Sequence, residues 1–159
     1  MPEINHVARY LIERLGPMTT MKLQKLVYYC QAWSLAWDEE PLFEEEFQAW
    51  ANGPVSPELF SAHSEKYKLD DDFLNTYSGY EFNQDQLETI EVVIEHYGEK
   101  SPNYLRELTH KERPWKETRG NIPLGYFCDK VISKELMQEY YSGLSTTRHW
   151  NAVFAVLLR

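Results

Sequence analysis

His110 and Glu112, in the segment THKERPW at residues 109–115, are the side chains whose types and spacing best suit chemistry. An imidazole and a carboxylate two positions apart can act as base and acid, or as two ligands of a metal ion. Catalysis also needs a nucleophile or an oxyanion donor, and a metal site needs about three protein ligands. The other histidines, at positions 6, 63, 96 and 149, have no spacing that supplies these groups. We therefore predict no catalytic residue, no metal and no cofactor.

A structural role is the simpler interpretation of THKERPW and of a second phrase, WANGP at residues 50–54. Glycine reaches backbone conformations closed to other residues, proline fixes a turn, and tryptophan anchors a segment to the core. In THKERPW we expect His110 to bond a backbone group where its helix ends, while Pro114 and Trp115 pack a corner. The structural residues predicted in the two phrases are Trp50, Asn52, Gly53, Pro54, His110, Glu112, Pro114 and Trp115.

Two amphipathic helices open the chain. Apolar residues recur at helical spacing over residues 4–15, before Gly16-Pro17, and again over residues 20–37, where Thr19 is the expected N-cap. The second stripe is the richer in large side chains, including Trp33. We therefore predict that the second helix is the central one.

Further helices are predicted from capping signals. Ser56-Pro57 predicts a helix running to about Tyr67, and the capping-box pattern at Asn83 predicts another that ends near Gly98. Ser101-Pro102 and Ser133 predict two more. We expect THKERPW to break the helix before it, since Pro114 disfavours helical backbone at the residue preceding it.

Short strands are predicted at residues 46–50 and 126–132, and a turn at residues 119–123. Residues 69–82 read as the longest loop and as a mobile segment. The predicted fold class is mainly α: a single compact helical domain with a small two- or three-stranded β element.

The domain is predicted to span residues 1–142, with residues 143–159 forming a C-terminal apolar extension, a helix packed on the same domain. A detachable partner-binding helix or a protease-recognised terminus are alternatives. The longest apolar run, residues 152–158, is too short to cross a bilayer.

The sequence also bears on the cellular compartment. Acidic residues near the start of the chain argue against a secretion signal. Cys30 and Cys128 are predicted to be reduced thiols in the core. A cytoplasmic protein without membrane contact is therefore expected.

The charge is unevenly distributed. The net charge of −9 disfavours nucleic acid as a partner. Residues 38–72 alone carry a net −9, whereas residues 100–119 carry a net +3. Either these are solvated faces that partly compensate each other, or the acidic stretch receives a basic protein partner.

Tyrosines and loop acids are the candidate partner-binding residues. Eleven tyrosines are present, and tyrosine is enriched at interface hot spots, although an aromatic core would give the same count. The candidates for contact with a partner are Tyr28, Tyr29, Tyr67, Asp70, Asp71, Asp72, Tyr77 and Tyr80.

Four ordered motifs resemble one protein family. KLQKLVYYCQAWSLAW, PLFEEEFQAWANGPVSPELF, LTHKERPW and VISKELMQEYY are similar to the Panacea antitoxin domain, which is SocA-like and related to the phage-associated GepA proteins. The resemblance covers roughly residues 11–141. It implies a mostly helical domain from toxin–antitoxin operons and prophages.

The resemblance also implies a function. Members of that family typically neutralise a toxin by direct contact, so the expected partner is a cognate protein toxin. The SocA branch instead delivers its toxin to a bacterial protease, which makes a protease adaptor the alternative. The third and less favoured hypothesis is a small hydrolase or metal enzyme that uses His110 and Glu112. The oligomeric state is left open.

Overall fold

The computed structural model describes residues 1–145 and contains, within that range, seven helices, five short strands and one 3₁₀ turn. The helices are α1 (Ile4–Leu15), α2 (Thr20–Asp38), α3 (Pro57–His63), α4 (Gln84–Tyr97), α5 (Pro102–Lys111), α6 (Arg113–Arg119) and α7 (Lys134–Leu144). The strands are β1 (Met18–Thr19), β2 (Phe47–Trp50), β3 (Gly53–Val55), β4 (Lys68–Leu69) and β5 (Val131–Ile132), and the 3₁₀ turn is Asn75–Tyr77. The mainly α fold class, with few short antiparallel strands in a single compact domain, is therefore confirmed.

Helix α2 lies at the centre of the molecule. It packs against α1, α4, α5 and α7, and every residue from Leu23 to Ala36 is buried. A helix that is covered on every side needs apolar or paired residues all round, which explains its run of aromatic side chains. Trp33, which is fully buried, donates its indole N–H to the Tyr97 hydroxyl at 2.9 Å. The predicted central helix is confirmed.

The predicted helix starts are confirmed by their caps. The side-chain oxygens of Thr19, Ser56, Ser101 and Ser133 each accept a hydrogen bond from a backbone N–H in the first turn of the helix that follows. Asn83 forms the predicted capping box with Gln86.

The strands form two small antiparallel sheets. Strand β2 is central in the order β3-β2-β5, and Trp50 faces Gly53 across the tight β2–β3 turn. The other sheet pairs β1 with β4. The predicted strand at 46–50 corresponds to β2, whereas the strand predicted at 126–132 is only the two-residue β5. Pairs of residues are too short to give a periodic pattern, so β1 and β4 were not predicted.

One predicted helix end is wrong, and one helix was not predicted. Helix α3 ends at His63 rather than near Tyr67, because Glu65 adopts a positive φ of 71° that turns the chain toward β4. In addition, Arg113 begins a new helix, α6, which was not predicted. Pro114 occupies the first turn of α6, where no backbone N–H is required, so it starts a helix as well as ending one.

The sequence predictions for the C-terminal extension fall almost entirely on residues 146–159, which lie outside the described residues. Both cysteines are free and buried. No helix in residues 1–145 is long and apolar enough to cross a membrane.

Candidate functional site

The two sequence phrases meet in the fold. The indole N–H of Trp115 donates to the carbonyl oxygen of Trp50 at 2.8 Å, which ties α6 to the end of β2. Trp115 is buried and Trp50 is half-buried. The exposed Asn52 accepts a hydrogen bond from Arg106 on α5 at 3.1 Å. The β2–β3 hairpin is thereby fixed against two helices.

Gly53 is required at this corner on two grounds. Its φ of +113° is rarely adopted by residues with a side chain. A Cβ at this position would also lie 2.5 Å from Cε of Lys25 and 2.9 Å from Oγ1 of Thr109. The next residue, Pro54, offers its carbonyl oxygen to the Lys25 ammonium at 3.1 Å. The glycine therefore lets the hairpin close over a buried lysine of α2.

His110 serves as a flat packing surface. Its ring lies parallel to that of Trp115, with centroids 3.8 Å apart and 5° between the planes. Its Nε2 is buried and has no hydrogen-bond partner within residues 1–145. The expected bond from the ring to a backbone group is not among the contacts of the described residues. Burial, assisted by Arg106, lowers the pKa of His110 to about 4, so the ring is neutral near pH 7.

Glu112 lies in a separate, aromatic environment. The side chain is buried, and its Oε1 accepts hydrogen bonds from the hydroxyls of Tyr29 and Tyr141, both at 2.7 Å. Burial raises the pKa of Glu112 to about 7, although the two tyrosine hydrogen bonds oppose that shift. His110 and Glu112 thus contact different neighbours. No group of three or more metal-ligating side chains occurs in residues 1–145.

The raised pKa of Glu112 makes stability depend on pH. The folded state holds the Glu112 proton up to about pH 7, while the unfolded chain releases it near the ordinary value of 4.5. Folding is therefore favoured at low pH by this group, and its contribution is lost as pH rises from about 4.5 to 7. In Glu112→Gln we expect the free energy of unfolding to fall less between pH 5 and pH 8 than in the wild type, by on the order of 3 kcal/mol.

Urea unfolding at several pH values measures this difference. The pKa values of the buried histidines are lowered, so their contribution to stability changes with pH in the opposite direction to that of Glu112. Because these histidines titrate in both proteins, their contribution cancels when the two pH profiles are subtracted. The side-chain amide oxygen that Glu112→Gln introduces can still accept from both tyrosines. Parallel pH profiles for the two proteins would contradict the assignment.

Arg119 organises the loop that follows α6, and this role was not predicted from the sequence. The guanidinium is 2% exposed and donates to the carbonyl oxygens of Ala49, Pro123 and Tyr126 at 2.8–2.9 Å. It also lies 5.1 Å from the Trp115 ring centroid. In the sequence, Arg119 is one cation among six in a basic stretch, with nothing to mark it as buried. A single side chain thus holds the loop at residues 120–127 against β2.

A cleft opens beside the hairpin, with a cavity of about 430 Å³. Its walls come from the start of α2, the hairpin, α3 and the loop after α6. The lining residues are Thr20, Met21, Gln24, Lys25, Trp50, Ala51, Asn52, Val55, Phe60, His63, Gly125 and Phe127. The size and apolar lining match those of ligand-binding pockets.

Large apolar side chains are exposed at the edge of the cleft. In the loop after α6, Leu124 is 75% exposed, Tyr126 65% and Phe127 77%. Phe60, on α3, is 39% exposed and contacts Trp50 edge to face at 5.1 Å. Grouped apolar exposure of this kind marks interaction surfaces. We call Tyr126, Phe127 and Phe60, together with the neighbouring aliphatic Leu124, the aromatic rim.

The inner wall of the cleft carries three buried polar side chains, Gln24, Lys25 and His63. Oε1 of Gln24 accepts from the backbone N–H of Ser56 at 2.9 Å, which fixes the orientation of the amide. Its amide nitrogen therefore donates, to the Ser56 carbonyl oxygen at 3.2 Å and to Nε2 of His63 at 2.9 Å. His63 accordingly carries its proton on Nδ1.

The candidate partner-binding residues lie in different environments. Tyr28 and Tyr29 are 1% and 0% exposed, so they are core residues and not the exposed or groove-lining side chains that were predicted. Their position on α2 faces α7 and the β2 region, where Tyr28 meets Tyr141 and Phe47. Helical periodicity could not separate a core tyrosine from a surface one, because every face of α2 is covered.

The remaining candidates lie at or near the surface. Tyr67 is 79% exposed, and its carbonyl oxygen accepts from Thr20 N–H at 3.0 Å, beside the cleft. Asp70, Asp71 and Asp72 are exposed, while Tyr77 and Tyr80 are half-buried against His6. Their contact with a partner stays a prediction. The aromatic rim and Lys25 were not among the candidates. Aromatic residues in a loop have no periodic spacing that would mark them as exposed, and a lysine within a helix is ordinarily expected to face solvent.

The fold and the cleft define a small, mainly helical domain with a preformed cleft and the aromatic rim beside it. A model of the family "Antitoxin SocA-like, Panacea domain" matches residues 23–116. The chain is also 32% identical to Antitoxin SocA of Caulobacter vibrioides over 149 residues, covering 79% of this chain and 78% of that protein. No solved structure matches the chain significantly. The chain belongs to the SocA-like Panacea family.

Membership supports an antitoxin role of the SocA type, as the four sequence motifs implied.

Proposed function

We propose that this protein is an antitoxin that neutralises a cognate toxin by direct binding, and that the cleft with its aromatic rim is the contact surface. The main support for this proposal is that Leu124, Tyr126 and Phe127 are exposed next to a preformed apolar cavity. Aromatic anchors beside a pocket are typical of interface hot spots.

The way the rim is held also supports this proposal. Arg119 donates to two carbonyl oxygens of the loop at residues 120–127 and to one of β2. The backbone that carries the exposed side chains is therefore held in place before a partner binds. A surface that is ordered before binding loses less conformational entropy on association. Family membership supports a protein toxin as the class of partner.

Removing the rim should abolish protection. For the double variant Leu124→Ala, Phe127→Ala we expect toxin affinity to fall by about 2–4 kcal/mol, or roughly 30- to 1,000-fold, because both anchors are lost. The measurement is co-expression with each adjacent open reading frame, scoring growth rescue and co-purification. The affinity of the purified pair is then determined by titration.

Leu87→Ala is the matched control, because Leu87 is 37% exposed on α4 and does not line the cleft. It should protect as well as the wild type. Failure of the wild type to rescue or bind any neighbouring gene product would overturn the antitoxin proposal. If the wild type binds but the rim variant binds equally well, the toxin uses another face, and Tyr67→Ala and Asp71→Ala become the next variants.

One alternative is the protease adaptor that the resemblance to the SocA branch implies, which would deliver the toxin for degradation. An adaptor needs the same toxin contact and a second docking surface, for which the exposed acids at residues 70–72 are candidates. Toxin abundance separates the two functions. Suppressed toxicity at unchanged toxin level indicates direct neutralisation, whereas a level that falls and then recovers on deletion of the protease indicates an adaptor.

A further inference from the structure

Lys25 is buried without a counter-charge. Its side chain is 1% exposed, yet the partner of its Nζ is a neutral group, the Pro54 carbonyl oxygen at 3.1 Å. Within residues 1–145 it takes part in no ion pair. Buried lysines are ordinarily paired, because an ammonium removed from water loses its hydration. The fold alone therefore gives this charge no compensation.

The surroundings of Lys25 are also unusually poor in negative charge. The whole chain carries a net −9, yet none of the residues lining the cavity in the described part of the chain is acidic. Thr20 and Met21, in the first turn of α2, bring the positive end of a 19-residue helix to the same cavity. Burial and the nearby Arg106 lower the pKa of Lys25 to about 7.

The cleft combines this electropositive inner wall with apolar side walls. Trp50, Phe60 and Phe127 line the cavity together with Lys25. A carboxylate that reached the ammonium would favour its charged form and would itself be stabilised by the helix end. The aromatic side chains would cover the apolar residues beside that carboxylate.

We infer that the cleft receives an acidic side chain of the bound toxin, next to an apolar residue, and that the carboxylate pairs with Lys25. This inference rests on the proposed function and specifies the chemistry of the partner. The acidic segment at residues 38–72 favours a basic partner in general, so the toxin must present a local acidic-apolar patch at this cleft.

The test is Lys25→Met, which removes the charge and keeps a stem of similar length. With the toxin that the wild type captures, we expect affinity to fall by about 30-fold or more, because a carboxylate would be left buried and unpaired. The free variant should keep its melting temperature within about 5 °C of the wild type, since the loss of one hydrogen bond is offset by removal of an unpaired charge. Lys22→Met, at a half-buried lysine of the same helix outside the cleft, should bind normally.

A scan on the toxin completes the test without altering this chain. Each exposed Asp or Glu of the toxin is changed to Asn or Gln, and one change should reproduce the loss and add nothing further in combination with Lys25→Met. Equal binding by wild type and Lys25→Met overturns the inference while the antitoxin proposal stands. If Lys25→Met fails to fold, the toxin scan decides, and absence of any amide variant weakened about tenfold overturns the inference. No binding by the wild type overturns both.

Discussion

Trp115→Ala should lower the free energy of unfolding by about 3–5 kcal/mol, the typical cost of removing a buried tryptophan side chain. Three contacts are lost together: the stack on the His110 ring at 3.8 Å, the cation–π contact with Arg119, and the hydrogen bond to the Trp50 carbonyl oxygen at 2.8 Å. Chemical denaturation followed by circular dichroism measures the loss, with the midpoint and slope fitted separately.

Trp115→Phe is the graded control. It keeps an aromatic face for His110 and removes the hydrogen bond to Trp50, so it should lose clearly less stability than the alanine variant. Growth rescue should follow stability in both variants, since Trp115 is buried and is absent from the cavity lining. An alanine variant as stable as the wild type would mean that the corner between α6 and the hairpin does not hold the fold.

Arg119→Met should have the second large effect, a loss of about 3 kcal/mol or more, because hydrogen bonds to a charged donor contribute about 1.5–3 kcal/mol each. This guanidinium makes three such bonds to backbone carbonyl oxygens. The effect should extend to function. Pro123 and Tyr126 lie in the loop that presents the aromatic rim, so toxin binding should weaken more than in a variant of equal stability elsewhere.

Met137→Ala is the stability-matched comparison, because Met137 is a buried residue of α7 that does not line the cleft. Such a core truncation costs about 2–5 kcal/mol. We expect both variants to unfold earlier, and Arg119→Met alone to lose toxin affinity at temperatures where both are folded. Arg119→Lys should recover part of the stability, since one ammonium cannot reach all three carbonyl oxygens in the geometry of the guanidinium fork. Equal affinities for Arg119→Met and Met137→Ala would show that the loop does not carry the binding surface.

Local signals in the sequence were sufficient for most of the fold. Helix α1 occupies the predicted residues 4–15, and α2 begins after Thr19 as predicted, because amphipathic periodicity and a capping hydroxyl depend on residues a few positions apart. The strands β1 and β4 and the helix α6 were missed. Two-residue strands exist only through their partners, and a proline at the first turn of a helix looks the same as a proline that ends one.

The candidate site was less predictable. Tyr28 and Tyr29 were predicted to be interface residues but belong to the core. There the hydroxyl of Tyr29 donates a hydrogen bond to the buried carboxyl group of Glu112. Lys25 looked like an ordinary helix lysine and lines the cleft beneath the hairpin. Burial of a polar group depends on what the rest of the chain places over it, and this is not a local property.

The sequence by itself therefore determined the helical framework, the capped starts of the helices and the family. Each of these depends on short runs of neighbouring residues, such as WANGP and THKERPW. Tertiary structure alone decided how those runs are used. Trp115 lies 65 positions from the Trp50 carbonyl oxygen that it binds, and Arg119 lies 70 positions from the Ala49 carbonyl oxygen. Gly53 needs its small size because Lys25 and Thr109 arrive from two other helices. The cleft is formed by three segments that are distant in the sequence, the start of α2, the hairpin with α3, and the loop after α6, so its shape and charge exist only after folding.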